Sequence, residues 1–87
     1  MDKIIQIHGN KWYLAEIRDN ILWAKNQKWN LTKYSKSNDH DHCLICYWTI
    51  FETDDPECGE AYFFGGSTWL CKECYGKFVE KNTTFQP

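Results

Sequence analysis

Apolar and polar positions in the first 25 residues predict an antiparallel β-meander. The run KIIQI is short and β-branched, and the HGN that follows it is typical of a turn. Two further apolar runs, KWYLAEIR and ILWAK, are separated by the turn-forming pair DN. A helix over residues 12–18 is the alternative, since some of these positions also have helical spacing. The β-branched content and the two turn signals favour strands over residues 1–25.

The rest of the chain separates into a connector, a hairpin and a helix. Residues 26–42 are polar and rich in turn formers, which is typical of a connector. In YWTIFETDDPECGEAYFF two aromatic runs flank a turn signal that contains Pro56 and Gly59, so this segment predicts a β-hairpin. CKECYGKFVEKN repeats its apolar positions at three- and four-residue steps and predicts a C-terminal helix.

The cysteines carry the clearest chemical signal. Two Cys-x-x-Cys pairs, Cys43 with Cys46 and Cys71 with Cys74, are separated by twenty-four residues. A tight turn between two cysteines points both sulfurs inward, and two such pairs supply a tetrahedron of sulfurs about 2.3 Å from a zinc ion. Thiolates also bind iron, but the spacing and the aromatic surroundings favour one structural Zn²⁺. Cys58 lies away from both pairs and is expected to be a surface thiol.

The order of these segments resembles the treble-clef zinc fingers, in which a Cys-x-x-Cys turn and a β-hairpin precede a helix opened by the second pair, here WLCKECYGKF. That class includes the zinc modules of LIM, GATA and HNH-type proteins, and the chain is also similar to small zinc proteins of bacteria and their phages. The resemblance implies an α+β fold. An N-terminal β-meander (1–25) and a connector (26–42) would precede a treble-clef module (43–81) made of a zinc knuckle, a β-hairpin and a C-terminal helix.

One zinc-stabilised domain is expected over residues 1–87, because a chain this short buries only a small core. The resemblance by itself implies no single function, since treble clefs bind nucleic acids, proteins and metals, and some are nucleases.

Two histidines in DHDHC stand just before the first cysteine pair, and three interpretations are open. His40 or His42 could replace a cysteine as ligand, although four sulfurs already complete a tetrahedral site. The resemblance to HNH nucleases implies catalysis. That family, however, commonly has a His after the last Cys, where this chain has Tyr75, and its Asp-His pair follows the first metal pair. The third interpretation is that residues 39–42 cap the knuckle and hydrogen-bond a thiolate or nearby backbone.

No catalytic constellation accompanies the cysteines, so the chain is predicted not to be an enzyme. The sequence has no glycine-rich phosphate loop and no Ser or Cys nucleophile beside a plausible base. A zinc ion with four cysteine ligands has no open position for water and cannot act as a Lewis acid. The N-terminal residues contain no long apolar run, from which we expect no signal peptide, no transmembrane helix and a reducing, cytoplasmic location.

Charge is distributed unevenly along the chain, whose formal net charge is -2. Residues 1–37 hold seven Lys or Arg and three acids, whereas residues 38–60 hold seven acids and no Lys or Arg. The acidic stretch predicts a docking face for a basic protein partner, with the candidate residues Asp54, Asp55 and Glu57.

The segment 25–36 combines lysines with aromatic residues, a composition suited to single-stranded nucleic acid. Its candidate contact residues are Lys25, Lys28, Trp29, Lys33 and Tyr34.

The favoured function is that of a small non-enzymatic zinc protein that acts by protein–protein binding. An inhibitor, an immunity-type protein or an adaptor of the bacterial or phage kind would fit this description. A nucleic-acid-binding zinc finger that uses residues 25–36 is the alternative, and the overall acidity counts against it because phosphate contacts favour a basic domain. An HNH-like nuclease is the least favoured function.

Overall fold

The computed structural model describes residues 3–65 and 68–80, which form a mixed α and β fold with antiparallel sheets. Its strands are β1 (Ile4–Ile7), β2 (Asn10–Tyr13), β3 (Asn30–Lys33), β4 (His40–His42), β5 (Thr49–Phe51), β6 (Glu60–Phe64) and β7 (Thr68–Leu70). Its helices are α1 (Leu14–Lys25), α2 (Pro56–Gly59) and α3 (Lys72–Cys74), and α3 continues into a π-helical segment, Tyr75–Glu80. In this part of the chain β1 pairs with β2, β4 pairs with β5, and β6 lies between β3 and β7. The predicted C-terminal helix is helical to residue 80, and residues 81 and 82 lie outside the described residues.

The N-terminal segment is a β-hairpin followed by a helix, so the predicted three-stranded meander is wrong beyond residue 13. Strands β1 and β2 pair as expected, but the predicted third strand, ILWAK, is the second half of α1. The buried side chains of α1 are Leu14, Ile17, Ile21 and Ala24. Their three- and four-residue steps place them on one helical face. Burial of that face outweighs the turn tendency of the DN pair in the middle of the helix.

The predicted connector contains two strands, and the predicted hairpin does not form. Both β3 and β4 lie within residues 26–42. Strand β5 pairs with β4, with Ile50 opposite Asp41, and β6 pairs with β3, with Tyr62 opposite Leu31. The two aromatic runs are therefore strands, as predicted, but each pairs with a strand from the polar segment instead of with the other run.

The turn signal between the aromatic runs folds as the short helix α2. Asp55 is its N-terminal cap, since the carboxylate accepts a hydrogen bond from the N–H of Glu57 (3.0 Å). Pro56 suits the first helical position because its fixed φ is helical and it lacks an N–H. Gly59 ends the helix at a close approach, where a Cβ would lie 2.2 Å from the carbonyl oxygen of Thr53. Proline and glycine thus serve a helix here, although the same residues also fit a hairpin turn.

The sheet β3–β6–β7 has a core on each face, because successive residues of a strand point to opposite sides. On one face Ala61 and Trp69 pack with Tyr34 and Ile50. On the other face Leu70 belongs to a larger cluster that includes buried residues of β1, α1 and the C-terminal helix. All four cysteines of the two pairs belong to this larger cluster. The predicted metal ligands are therefore part of the main core.

A matched pair of substitutions tests the buried face of α1. Ile21 is 0 % exposed, whereas the neighbouring Leu22 is 45 % exposed. We expect Ile21→Ala to lower the free energy of unfolding by about 2–5 kcal/mol, because it leaves a cavity in the main core. Leu22→Ala should lower it by less than about 0.5 kcal/mol. Chemical denaturation measures both values, and equal costs would contradict the helical register.

Candidate metal centre

Four cysteine side chains meet in the main core. Cys43, Cys46, Cys71 and Cys74 are at most 8 % exposed, and their sulfur atoms all lie within 4.8 Å of one another. The Sγ atoms of Cys46 and Cys71 are 3.6 Å apart, whereas a disulfide bond measures about 2.05 Å. All four are free cysteines. The structure brings the four sequence-predicted ligands together as a set that could hold a metal ion.

A closed turn between β4 and β5 shapes the first pair. The N–H of Cys43 donates to the carbonyl oxygen of Trp48 (2.8 Å), and the N–H of Tyr47 donates to that of Cys43 (3.0 Å). Tyr47 adopts the left-handed backbone conformation, with a φ of 65°, and reverses the chain just after the second cysteine. The N–H of Leu44 donates to the carbonyl oxygen of Trp69 (2.8 Å). This bond fixes the turn against β7, the strand that leads to the second pair.

The second pair opens the C-terminal helix. Cys71 follows β7 directly and caps α3, since its Sγ accepts a hydrogen bond from the N–H of Cys74 (3.4 Å). The N–H of Tyr75 donates to the carbonyl oxygen of Cys71 (3.0 Å) at the start of the π-helical segment. Phe78, further along the same segment, is 2 % exposed and packs in the main core. The start of the helix therefore positions both sulfurs, and its buried face fixes the helix against them.

The four sulfurs cannot all be ionised unless a cation lies among them. Burial raises the pKa of the Cys43 thiol, but hydrogen bonds from Cys46, Cys71 and Cys74 outweigh it and hold that pKa well below its usual range. Hydrogen bonding to Cys43 in turn raises the pKa of Cys71 and of Cys74. Without a cation, burial and mutual repulsion therefore disfavour the ionisation of all four sulfurs together. A divalent ion removes this restriction, because it offsets the negative charge and replaces the S–H hydrogens.

The donor set fits a tetrahedral ion that prefers sulfur. Bonds of about 2.3 Å from zinc to four tetrahedral sulfurs place neighbouring sulfurs about 3.8 Å apart, close to the 3.6 Å between Cys46 and Cys71. Among the described residues, the cluster of donor atoms contains sulfur alone. Magnesium and calcium take oxygen ligands, so the set excludes them in favour of zinc or iron.

A third histidine, His8, contacts the cysteine cluster, and the sequence did not predict it. Its Nε2 lies 3.2 Å from the Sγ of Cys71, 63 residues further along the chain. Its backbone N–H donates to Oε2 of Glu73 (2.9 Å). The HGN turn is the one sequence signal at this position, and it predicts a reversal of the chain and no ligand. The contact follows from the packing of the first hairpin on the start of the last helix.

His40, His42 and Cys58, whose roles the sequence did not decide, lie outside the sulfur cluster. His42 stacks on Tyr47 of the cysteine turn, with ring centroids 4.2 Å apart, and His40 meets His42 edge-on at 5.0 Å. Within the part of the chain that the structure describes, residues 39–42 form no hydrogen bond to a thiolate, so their contact with the knuckle is ring stacking. Cys58 is half-buried in α2, and burial raises the pKa of its thiol.

The acidic candidates Asp54, Asp55 and Glu57 lie where β5 leads into α2, and all are exposed. Asp55 also caps α2, so its carboxylate has a structural role.

An open groove of about 320 Å³ lies next to β4 and β5 and is lined by Asn38, Asp39, His40, Phe51 and Glu52. Asp39 and Glu52 meet at one end of the β4–β5 ladder, because the adjacent residues His40 and Phe51 are paired. The acidic surface therefore extends from α2 to the start of β4.

The two aromatic candidates of the segment 25–36 are engaged within the chain. Tyr34 is 1 % exposed, and its burial and its hydrogen bond to Asp41 raise its pKa to about 12. Trp29 is half-buried, and its indole N–H donates to the carbonyl oxygen of Ala24 (2.8 Å). The accompanying lysines are Lys25 at the end of α1, Lys28 in the following loop and Lys33 on β3.

No family model, no curated protein and no solved structure matches the chain. In the described ranges, no helix has both the length and the apolar character needed to span a membrane. Function is therefore inferred from the sulfur cluster and from the exposed carboxylates beside β4, β5 and α2.

Single substitutions rank the ligands. We expect Cys43→Ser, Cys46→Ser, Cys71→Ser and Cys74→Ser each to lose bound metal or soluble folded protein, because three sulfurs leave a buried site incomplete. Cys58→Ser is the matched control and should keep both, as should His40→Ala and His42→Ala. Elemental analysis and circular dichroism make the measurement. If a histidine variant releases the metal while one of the four cysteine variants retains it, the four-sulfur site is wrong.

Proposed function

We propose that this chain is a small zinc protein in which Cys43, Cys46, Cys71 and Cys74 hold one Zn²⁺. The observation that carries the proposal is the meeting of four buried sulfurs within 4.8 Å of one another. Zinc accepts four thiolates in a tetrahedral arrangement. Its role is structural, because a zinc ion with four protein ligands has no open position for a substrate. The chain is accordingly proposed to be non-enzymatic.

The order of elements supports a treble-clef module as the finer description of the zinc site. The turn that carries the first pair is followed by β5, α2 and the hairpin β6–β7, and the second pair then opens α3. A cysteine turn, a hairpin and a helix in this order are the parts of the resemblance seen in the sequence. The hairpin concerned is β6–β7, whereas the sequence predicted a pairing of β5 with β6. Helix α1, the β1–β2 hairpin and strands β3 and β4 would be additions to that module.

We further propose that the zinc-stabilised chain binds a basic segment of a protein partner through its acidic surface. This surface comprises Asp39, Glu52, Asp54, Asp55 and Glu57, around β4, β5 and α2. The ion pairs between described residues involve Glu60 and Glu73, and none involves the carboxylates of this surface. A group of exposed carboxylates that form no ion pair among the described residues favours a partner of opposite charge and speeds its association. An inhibitor, immunity-type or adaptor role would use such a surface.

The groove supplies a place on this surface for one cationic side chain. Asp39 and Glu52 line it together with Phe51, a residue that is 39 % exposed. Carboxylates bind a guanidinium group by charge-assisted hydrogen bonds, and an aromatic face attracts the same cation. An arginine of the partner is therefore the side chain that suits the groove best.

The alternative, single-stranded nucleic acid bound by residues 25–36, has weaker support. Such binding needs exposed aromatic rings on which bases stack. Tyr34 lies in a core and Trp29 is half-buried, so the rings that favoured this function in the sequence have contacts within the chain.

Zinc is expected to be stoichiometric and to control folding. Protein purified without added metal should contain about one zinc per chain. Zinc binding contributes on the order of 10–16 kcal/mol in comparable sites, more than a core of this size supplies, so chelation should unfold the region around the cysteines. Metal analysis and thermal denaturation before and after chelation measure both effects. A metal-free protein with the same cooperative melting temperature would refute structural zinc.

Charge reversal tests the acidic surface. Asp54→Lys combined with Glu57→Lys reverses two exposed carboxylates and leaves the Asp55 cap of α2 in place. We expect this variant to bind a fluorescent arginine-rich peptide more weakly than wild type, because like charges then oppose each other. Wild-type binding should itself weaken as salt is raised. Fluorescence anisotropy makes the measurement, and metal content and melting temperature should not change.

The matched control for the acidic surface is Glu16→Lys combined with Asp19→Lys on α1. Both residues are exposed, and this variant changes the net charge by the same amount. If the two double variants bind the peptide equally, net charge alone acts and the proposed surface is wrong.

Substitution of Lys25, Lys28, Lys33 and Lys36 by glutamate tests the alternative, binding of single-stranded nucleic acid. Loss of single-stranded oligonucleotide binding in this variant alone would favour the nucleic-acid function.

A further inference from the structure

His8 occupies a turn position from which its side chain reaches the cysteine cluster. It lies between β1 and β2 with a left-handed φ of 51°, and Gly9 follows with a φ of 79°. Histidine, asparagine and aspartate tolerate this conformation better than most residues that carry a side chain. The imidazole is 12 % exposed, so the turn directs it into the molecule.

Contacts with three residues, Cys71, Trp48 and Glu73, hold the His8 ring in one orientation. Its Nε2 lies 3.2 Å from the Sγ of Cys71. The ring stacks on Trp48, with centroids 3.8 Å apart and planes 14° apart. Its Nδ1 lies 3.5 Å from Oε1 of Glu73, and its backbone N–H donates to Oε2 of the same carboxylate. Trp48 is itself fixed, because its indole N–H donates to the carbonyl oxygen of Glu57 (3.0 Å). Groups other than the sulfur therefore orient the imidazole toward it.

We propose that His8 is a positioning residue of the zinc site, whose Nε2–H donates a hydrogen bond to the coordinating sulfur of Cys71. A coordinated thiolate has no hydrogen to donate, so the imidazole is the donor. His8 is not itself a ligand, because the donor atoms within 4.8 Å of one another are the four cysteine sulfurs. The inference rests on the proposed zinc binding and adds a side chain that the cysteine spacing does not include.

The hydrogen bond from His8 to Cys71 would offset part of the negative charge of the zinc site. Four thiolates around one divalent ion leave a net charge of about −2 in a buried volume, and hydrogen-bond donors to sulfur offset part of it. The Sγ of Cys71 also accepts the backbone N–H of Cys74 (3.4 Å). Of these two donors, the one from His8 belongs to a side chain and can be removed by substitution.

The same contact joins the N-terminal hairpin to the metal site. The β1–β2 turn reaches the cluster through His8, and the hydrogen bond from its backbone to Glu73 holds it against α3. Coupling between two binding events is reciprocal. A hairpin docked through His8 therefore favours zinc binding, and bound zinc favours the docked hairpin.

Two substitutions remove the donor with different side effects. His8→Phe keeps a ring that can stack on Trp48 but has no N–H. His8→Asn tolerates the left-handed backbone but lacks the ring, and its amide N–H groups lie as near the backbone as Nδ1 does, so no donor remains at the position of Nε2. The matched control is His42→Phe. His42 also stacks on an aromatic ring beside the site, that of Tyr47, but contacts no cysteine sulfur in the described residues. Each full-length chain is titrated with zinc against a chromophoric chelator, and with Co²⁺ as a spectroscopic probe of the sulfurs.

We expect both His8 variants to bind zinc with about 10–100-fold lower affinity than wild type, and His42→Phe to bind like wild type. All variants should still bind about one zinc at saturation. In the Co²⁺-loaded His8 variants the sulfur-to-cobalt charge-transfer band should shift, because one sulfur has lost a hydrogen bond. The ligand-field bands should keep the intensity of a tetrahedral four-sulfur site.

Three results would overturn the role of His8. Zinc affinities of the His8 variants equal to that of His42→Phe would show that the contact does not act on the metal. A lower affinity without a shift of the charge-transfer band would show a purely structural contribution. Loss of metal at saturating zinc would show that His8 is a ligand. A wild-type chain that binds no zinc is a separate outcome, and it would refute the zinc site itself together with this inference.

Discussion

Four sulfur atoms, buried within 4.8 Å of one another, form the constraint on which the rest of the structure depends. They lie in the main core, in the same cluster as the buried side chains of β1, α1 and the C-terminal helix. Four thiolates cannot share so small a volume without a cation, since burial and mutual repulsion both disfavour the charged forms. Metal binding and core formation are therefore expected to be one event. A chain of 87 residues can then fold around a core that would be marginal on its own.

The elements next to the metal centre also form the surface proposed to bind a partner. The cysteine turn is the loop between β4 and β5, and the hydrogen bond from Leu44 to Trp69 fixes it to the central sheet. The acidic groove lies at the far end of the same two strands, and α2 follows β5. Behind the sheet, the stack of Tyr62 on Tyr75 (3.6 Å) holds the C-terminal segment against β6. We therefore expect loss of the proposed zinc to disturb the acidic surface as well as the core.

The site could be predicted from sequence because its signal is local. In Cys-x-x-Cys the two intervening residues form a tight turn that directs both sulfurs to one side, so the spacing alone predicts the arrangement of the pair. The structure places the two pairs together, as expected. Helix α1 could not be recognised with the same certainty, because ILWAK satisfies both a strand pattern and the helical face that begins at Leu14. Strand pairing was harder still. The partners of β5 and β6 lie in a polar segment, where strands form through backbone pairing and carry little hydrophobic pattern.

His8 shows the limit of reasoning from spacing. It is 63 residues from the sulfur that it contacts, and its turn would have the same sequence signal if it faced solvent. Long-range contacts of this kind depend on how elements dock, which local propensities do not specify. The lysine segment shows the converse case. Tyr34 looked available for base stacking, but it is buried with Ile50, Ala61 and Trp69, and its hydroxyl donates a hydrogen bond to Asp41.

X-ray absorption at the zinc edge, on protein purified without added metal, tests the four-cysteine centre most directly. We expect a single shell of four sulfurs at about 2.3 Å from the zinc and no nitrogen ligand. A nitrogen contribution at about 2.0–2.1 Å would mean that a histidine such as His8 has replaced a cysteine, and it would contradict the centre described.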